Sequence, residues 1–439
     1  SILASLLLVA GASPSGQGAE QRGREVLGRA AAAARVEERV PRLWLVEGSG
    51  RENLTGELQG VAADAPTWRP HKERVAVDYQ EQSVAWERRT PRNDESLRHR
   101  RFVYTPSKTI VVDHANGFTR TIQGDVPAER RRALMRRIPH LLLADIASRS
   151  ASEVRWVREV RVDGARADEI AVTLPGDGTI ALTIGREPSV LLRASYELHF
   201  PGRGDTTVVW HWHGWTRHDT LGWVPTGHRM VIGGVPFQEV TYSRYATGLT
   251  DASAMIDPPA GPAAAHAETP SWAREIGPAT GEVAPGVHVA RVSGFTVMFV
   301  EQPGGIVAFE APEPFFGTDS IPASDRAAAG TLTPRIIELI KKTIPGKRIT
   351  HAVISHHHGD HMGGIRAFAA EGAEIVMSAL DAQAARDVFA RAHTILGDSP
   401  AAAPVVTPVT GRIRIGTGPT AVEVIDAGAN PHTDASLVF

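Results

Sequence analysis

Ser355-His356-His357-His358-Gly359-Asp360-His361-Met362-Gly363-Gly364 places four metal-capable side chains, His356, His358, Asp360 and His361, within six residues. The stretch follows an apolar run, Ile349 to Ile354 (ITHAVI), that reads as a buried strand, and it precedes a helical pattern from Ile365 to Glu371. On an extended turn, residues i and i+2 aim to one side while the next two aim at a neighbouring point. One loop at the end of a strand can therefore feed two ions lying close together. Imidazole nitrogens with a carboxylate and no sulfur suit zinc, and also manganese or iron. The chain has no cysteine, which excludes disulfides, thiolate metal sites, iron–sulfur clusters and cysteine nucleophiles.

The elements around this loop are legible in turn. Upstream, Thr333 is a plausible N-cap with Pro334 at the first helical position; Ile336, Ile337, Ile340 and Ile344 form an apolar face, and Pro345-Gly346 stops the helix. Before it, Val287 to Val292 and Thr296 to Glu301 alternate like paired strands, Gly304-Gly305 makes a turn, and Ile306 to Phe309 is a short buried strand ending at Glu310-Ala311-Pro312. Downstream, a strand-like run from Val422 to Ile425 leads into Ala427-Gly428-Ala429-Asn430-Pro431-His432-Thr433-Asp434, and Ser436 to Phe439 begins another strand.

Strand, H-x-H-x-D-H, Gly-Gly and a later loop histidine together resemble the metallo-β-lactamase superfamily, with an αββα sandwich carrying the motif on a loop after a strand. The resemblance spans residues 281–439. It implies that His356 and His358 bind a first metal with a third histidine, for which His432 fits, and that Asp360 and His361 bind a second. The implied cofactor is zinc, as two ions, with iron or manganese as alternatives. Three neutral histidines leave an open position where bound water falls from a pKa of about 15.7 to about 7. Asp360 is cast as the catalytic residue, orienting the nucleophile and taking a proton. The expected reaction is hydrolysis of an ester, thioester, lactone, lactam or phosphoester in a small-molecule substrate. His361 after Asp360 sets the chain apart from lactamases with Arg or Cys there, and glyoxalase II enzymes, lactonases and the third lactamase subclass share it. The motif thus names a metal centre and leaves the substrate open. Family members usually continue to a bridging aspartate and a final histidine, so these ligands are expected beyond Phe439, in a longer protein. His357 is outside the family's ligand set and is left between a substrate contact and a structural role. An iron-dependent oxidoreductase of the same fold and a protein that binds a lipid or other hydrophobic ligand are the alternatives.

The first half has a different texture. Ile2 to Ala12 is apolar, too short for a spanning helix, and Ala10-Gly11-Ala12 fits a small-x-small cleavage site, so residues 1–19 are expected to be part of a secretory signal and the protein to be periplasmic or secreted. After an Ala-rich helical pattern from Glu25 to Glu38, β-branched and aromatic segments such as VAVDYQ, TIVVDH and TTVVWHW alternate between Val75 and Tyr245, separated by Gly and Pro turns. They predict an antiparallel β domain over residues 20–247 with about 8–10 strands. One long helix, Ala128 to Ser148, is expected to break at Pro139. A long helix against a many-stranded antiparallel sheet resembles the half-barrel of periplasmic lipoprotein carriers, which implies a hydrophobic ligand in this domain. Residues 248–280, rich in Pro and Ala, read as a linker. The fold class expected for the whole is α+β: a partial C-terminal αββα sandwich after a mostly antiparallel β domain with one long helix.

Other candidates are weaker. In Trp210-His211-Trp212-His213-Gly214-Trp215 the period of two sends Trp and His to opposite faces, an aromatic core and a polar surface. His114, His218 and His228 stand alone and are expected to be satisfied polar positions. With 47 basic and 49 acidic residues the formal charge is −2, without a long run of one sign, which argues against nucleic acid as a partner. A hydrophobic fraction of 42% excludes global disorder.

Overall fold

In the computed structural model the described residues are 16–36, 40–53, 68–91, 97–115, 117–123, 128–149, 153–175, 178–200, 202, 204–257, 279–292, 295–313, 332–396, 404–430 and 433–439. The alternating runs of the first half pair into one thirteen-stranded sheet. From one edge it runs backwards through the sequence: Phe118–Gln123, Lys108–Asp113, Leu97–Tyr104, Ser83–Pro91, Trp68–Asp78 and Leu43–Asn53. Leu43–Asn53 pairs with Val235–Thr247, and the sheet continues through Gly227–Ile232, Gly204–His213, Leu191–Phe200, Gly178–Gly185, Ala165–Leu174 and Glu153–Val162. Among the described residues from Trp68 to Thr247 there are fourteen strands including the small Thr216–His218/Gly222–Val224 hairpin, more than expected. The surplus includes the three-residue strands Thr216–His218 and Gly222–Val224, too short to announce themselves, and Glu153–Val162 (EVRWVREVRV), half of whose residues are charged.

Helices cover one face of this sheet. The first, Gly16–Ala33, lies earlier than the pattern from Glu25 to Glu38 suggested, and it buries Ala19, Gly23, Val26 and Ala30 along one stripe. Gly23 is required there, because a Cβ would come 2.7 Å from the main-chain nitrogen of Trp156. Gly16 to Ala19, at the end of the expected signal segment, form the first turn of this helix, and residues 1–15 lie outside the described residues. The expected long helix is two, Ala128–Met135 and Pro139–Ser148, divided where Pro139 cannot continue the hydrogen-bond ladder. Leu142, Leu143 and Ile146 pack with Val26 and Ala30 on Ile170, Leu182, Trp210 and Trp212. The opposite face carries a shorter helix, Thr250–Ile256, whose Ala252 and Met255 pack on Leu45, Ala76, Ala85 and Val103. Part of the segment read as a linker is therefore folded onto the sheet, and its residues 258–278 lie outside the described residues.

The C-terminal part is built on a seven-stranded sheet: Ala279–Ala284, Val287–Val292, Phe295–Gln302, Gly305–Phe309, Ile349–Val353, Glu374–Ser378 and Val406–Val409. The first four form an antiparallel meander and the last four are parallel neighbours. Helices Leu332–Thr343, Ile365–Ala370 and Ala382–Ala390 cover one face through Ile336, Ile340, Ile365, Phe368 and Ala385. The other face packs Val307, Phe309, Val353 and Val376 against a second sheet, Arg412–Ile415, Val422–Asp426 and Leu437–Val438, through Val424 and Leu437. A helix layer over two stacked sheets is a partial αββα sandwich, and the chain as a whole is α+β. Thr333 is the second residue of its helix rather than its cap: its N–H donates to the Glu313 carboxylate at 3.0 Å, and its hydroxyl donates to Pro312 O.

Candidate metal centre

Parallel pairing on both sides holds Ile349–Val353 in the middle of the sheet, so the residues after it emerge at the carboxyl edge, where loops converge. Ile354 N–H still donates to Val376 O, and Ser355 O accepts from Leu437 N–H at 2.7 Å. His356, His357 and His358 are buried. The chain then makes one helical turn, Gly359–Met362, with His361 and Met362 N–H donating to His358 O. This turn is tied to the end of the Gly305–Phe309 strand by Ala311 N–H to His361 O (2.7 Å) and Gly364 N–H to Ala311 O (2.8 Å). Gly364 presses on the helix beneath: a Cβ there would lie 1.9 Å from Thr333 Oγ1.

The turn gathers the motif side chains. The His356 ring centre is 4.4 Å from that of His358 and 4.1 Å from that of His361. Ser355 Oγ lies 2.9 Å from His356 Nδ1 and 3.4 Å from His361 Nδ1, and Glu310 Oε2 lies 3.4 Å from His361 Nδ1 while accepting Ser355 N–H. In His356 and His361, Nδ1 is engaged on the protein side, which leaves Nε2 as the nitrogen to present to an ion, and such outer hydrogen bonds set the tautomer of a ligating histidine. Burial alone would lower the His361 pKa, but the Glu310 and Asp360 carboxylates outweigh it and raise it above the ordinary value. Asp360 Oδ2 is 3.9 Å from His361 Nε2, and its Oδ1 is buried with no hydrogen-bond partner among the described residues.

His357 turns away from this cluster. Its Nδ1 lies 2.6 Å from Asp381 Oδ1 at the head of the Ala382–Ala390 helix, which gives it a structural role tying the motif to the next strand–helix corner. His432 lies outside the described residues; beside it, Asn430 N–H donates to Thr433 O and Asn430 Oδ1 accepts Thr433 N–H. Sequence reading missed Ser355, Glu310 and Asp381. Glu310 had a faint signal as the last residue of a buried strand, but its left-handed backbone (φ 65°) shows only in three dimensions.

Residues 326–429 match the metallo-β-lactamase superfamily profile. Folds of this superfamily bind divalent metals. Among solved structures, a metallo-β-lactamase from Pontibacter korlensis is 19% identical over 36% of this chain and 65% of its own, with a TM-score of 0.24. The chain thus spans less than two thirds of that enzyme. A DUF1329 family protein from Desulfovibrio piger is 14% identical over 53% of this chain and 96% of its own (TM-score 0.34). A LolA superfamily protein from Nitrosomonas europaea is 12% identical over 52% and 95% (TM-score 0.32). No curated protein matches the chain.

The residues present fit the metal that the superfamily implies. A buried carboxylate oxygen without a donor beside three imidazoles is a set that a divalent cation satisfies. Elsewhere among the described residues, Glu87, His99 and His114 bring three ligand atoms within 4.8 Å of one another, a closeness that the motif side chains do not reach. There Arg101 Nη2 sits 2.6 Å from Glu87 Oε2, and Arg89 Nε donates to His99 Nε2 at 3.2 Å, so guanidinium groups already supply the positive charge. His114 is accordingly not solitary, since it stacks on His99 with ring centres 4.0 Å apart. His228 is buried and bonded to Tyr242 Oη and Gln238 Oε1, while Trp210 and Trp212 face the core and His213 is exposed.

Proposed function

We propose that this protein is a periplasmic or secreted metal-dependent hydrolase that cleaves an ester, lactone, lactam or related bond of a small molecule. The observation that carries the reading is the convergence of His356, His358, Asp360 and His361 at the carboxyl end of a central parallel strand, with the Asp360 Oδ1 acceptor unsatisfied. His356 and His358, with His432, form the first metal site, and Asp360 and His361 belong to the second. When bound, zinc supplies a water acidified to a pKa of about 7 and a Lewis acid for the substrate oxygen. The chain's own part is positional: Ser355 and Glu310 hold the rings, and Asp360 orients the nucleophile and accepts its proton. The apolar Ile2 to Ala12 run with its small-x-small end supports export, and among the described residues no helix is long and apolar enough to cross a membrane.

The test is a hydrolysis panel of chromogenic esters, lactones and lactams with zinc-loaded protein and Asp360→Asn beside it. Turnover of one class, lost by at least about a hundredfold in the variant, supports the reading. A zinc-loaded protein inert across the panel that consumes dioxygen when loaded with iron would favour the oxidoreductase instead.

A further inference from the structure

The two large sheets meet at the metal loop. Strands Leu191–Phe200 and Gly204–His213 form a hairpin in which Phe200 pairs with Gly204. At its turn, Gly202 (φ 75°) lies so near the motif that a Cβ there would be 3.5 Å from Met362 Cε and 3.7 Å from Gly359 Cα. Gly359 is the residue between His358 and Asp360. The foot of the hairpin is fastened to the segment after the Ala382–Ala390 helix. Asp205 accepts Thr394 N–H (2.7 Å) and Oγ1–H (2.6 Å) and Ile395 N–H (3.3 Å), and its own N–H donates to Ala392 O (2.8 Å). Gly204 leaves no space in this seam, since a Cβ would meet Ala392 O at 2.5 Å. His199 and His393, both buried, face each other across it with ring centres 5.3 Å apart.

The helix so fastened begins at Asp381, the partner of His357 inside the motif. The metal loop is therefore gripped twice: the hairpin turn rests on Gly359 and Met362, and the helix that Asp205 anchors holds His357. A helical turn of four residues has no stability of its own, because nucleating a helix is unfavourable. Its geometry must come from its neighbours.

We propose that Asp205 is a positioning residue for the metal centre, seating the hairpin turn against Gly359 so that the main chain between His358 and Asp360 keeps the geometry that two ligands require. The antiparallel region thereby becomes part of the metal site rather than an appendage. This rests on the metal-centre reading above.

The test is zinc affinity of the whole protein, measured by competition with a chromophoric chelator, for wild type, Asp205→Ala, Asp205→Asn and Thr394→Val, with circular dichroism melts to establish folding. Loss of an outer partner of a metal site typically weakens binding by about 10–100-fold. Asp205→Ala should raise the zinc dissociation constant at least about tenfold. Asp205→Asn, which keeps an acceptor, should restore most of the loss, a rescue that a mere change in global stability would not give. Thr394→Val removes one donor and carries the test if Asp205→Ala does not fold. Folded variants that bind zinc as wild type does would overturn the positioning role. A wild type that binds no zinc would overturn the metal centre itself.

Discussion

Arg137, at the break between the Ala128–Met135 and Pro139–Ser148 helices, reaches into the large sheet, and its removal should be among the costliest single changes in the protein. Its Nη2 donates to Gln238 Oε1 at 2.8 Å and lies 3.3 Å from Glu73 Oε2, and the guanidinium sits over Trp86 and Trp210 with 5.2 and 5.8 Å to the ring centres. Both Arg137 and Glu73 are buried. Burial pushes the Glu73 carboxyl up, but Arg137, helped by His71, overrides it and holds the pKa at about 2 against an ordinary 4.5. Removing one member of a buried pair typically costs roughly 3–5 kcal/mol, because the other charge is left uncompensated. Arg137→Met should therefore lower the free energy of unfolding by about 3–5 kcal/mol at pH 7, read by urea denaturation followed through tryptophan fluorescence. The sign with pH is distinctive. In the wild type the Glu73 contribution is present above pH 4.5 and lost as pH falls through about 2. In the variant burial prevails, the Glu73 pKa rises above 4.5, and the deficit shrinks as acid protonates the stranded carboxylate. Adding Glu73→Gln should recover a large part of the loss at pH 7. A deficit below about 1 kcal/mol, or one independent of pH, would refute this reasoning.

His140 is buried with Nε2 donating to Leu221 O at 2.9 Å, and burial pushes its pKa to about 4 from 6.5. The unfolded chain takes the proton first, so stability should fall as pH drops from 6.5 toward 4, by up to about 3 kcal/mol for this group; melting temperatures measured from pH 7.5 to 4.5 should show a shallower fall for His140→Gln. Gly364→Ala would drive its Cβ into Thr333 and should cost about 1–3 kcal/mol in urea denaturation, whereas an unchanged midpoint would show that the loop yields freely. Phe299, with no exposed surface in the C-terminal core, should lose about 3–5 kcal/mol on replacement by Ala, and a loss under half of that would mean the core collapses around the gap.

The C-terminal sandwich was the legible part of the chain because its signals are local. Ile349 to Ile354, the Ile336/Ile337/Ile340 face and the histidine loop each announce their own structure, and the elements formed within a residue or two of where they were expected. The rings of His356, His358 and His361 lie close together in the structure. What stayed hidden depends on distant partners. Glu310 and Asp381 are separated from the motif by 45 and 24 residues in their contacts, and only Glu310 carries even a faint mark, at the end of a buried strand. The charged strand Glu153–Val162 is held to its neighbour by cross-strand pairs such as Glu159 with Arg166 and Arg158 with Glu169, pairings that only the folded sheet shows. The Asp205 seam is a pairing of residues 189 apart in sequence, Asp205 with Thr394.

The most direct test of the account is metal content per chain by elemental analysis, on the whole protein with His358→Ala beside it. About two zinc ions per chain are expected, falling in the variant while the fold is retained. No metal in either protein, after exposure to zinc, would contradict it.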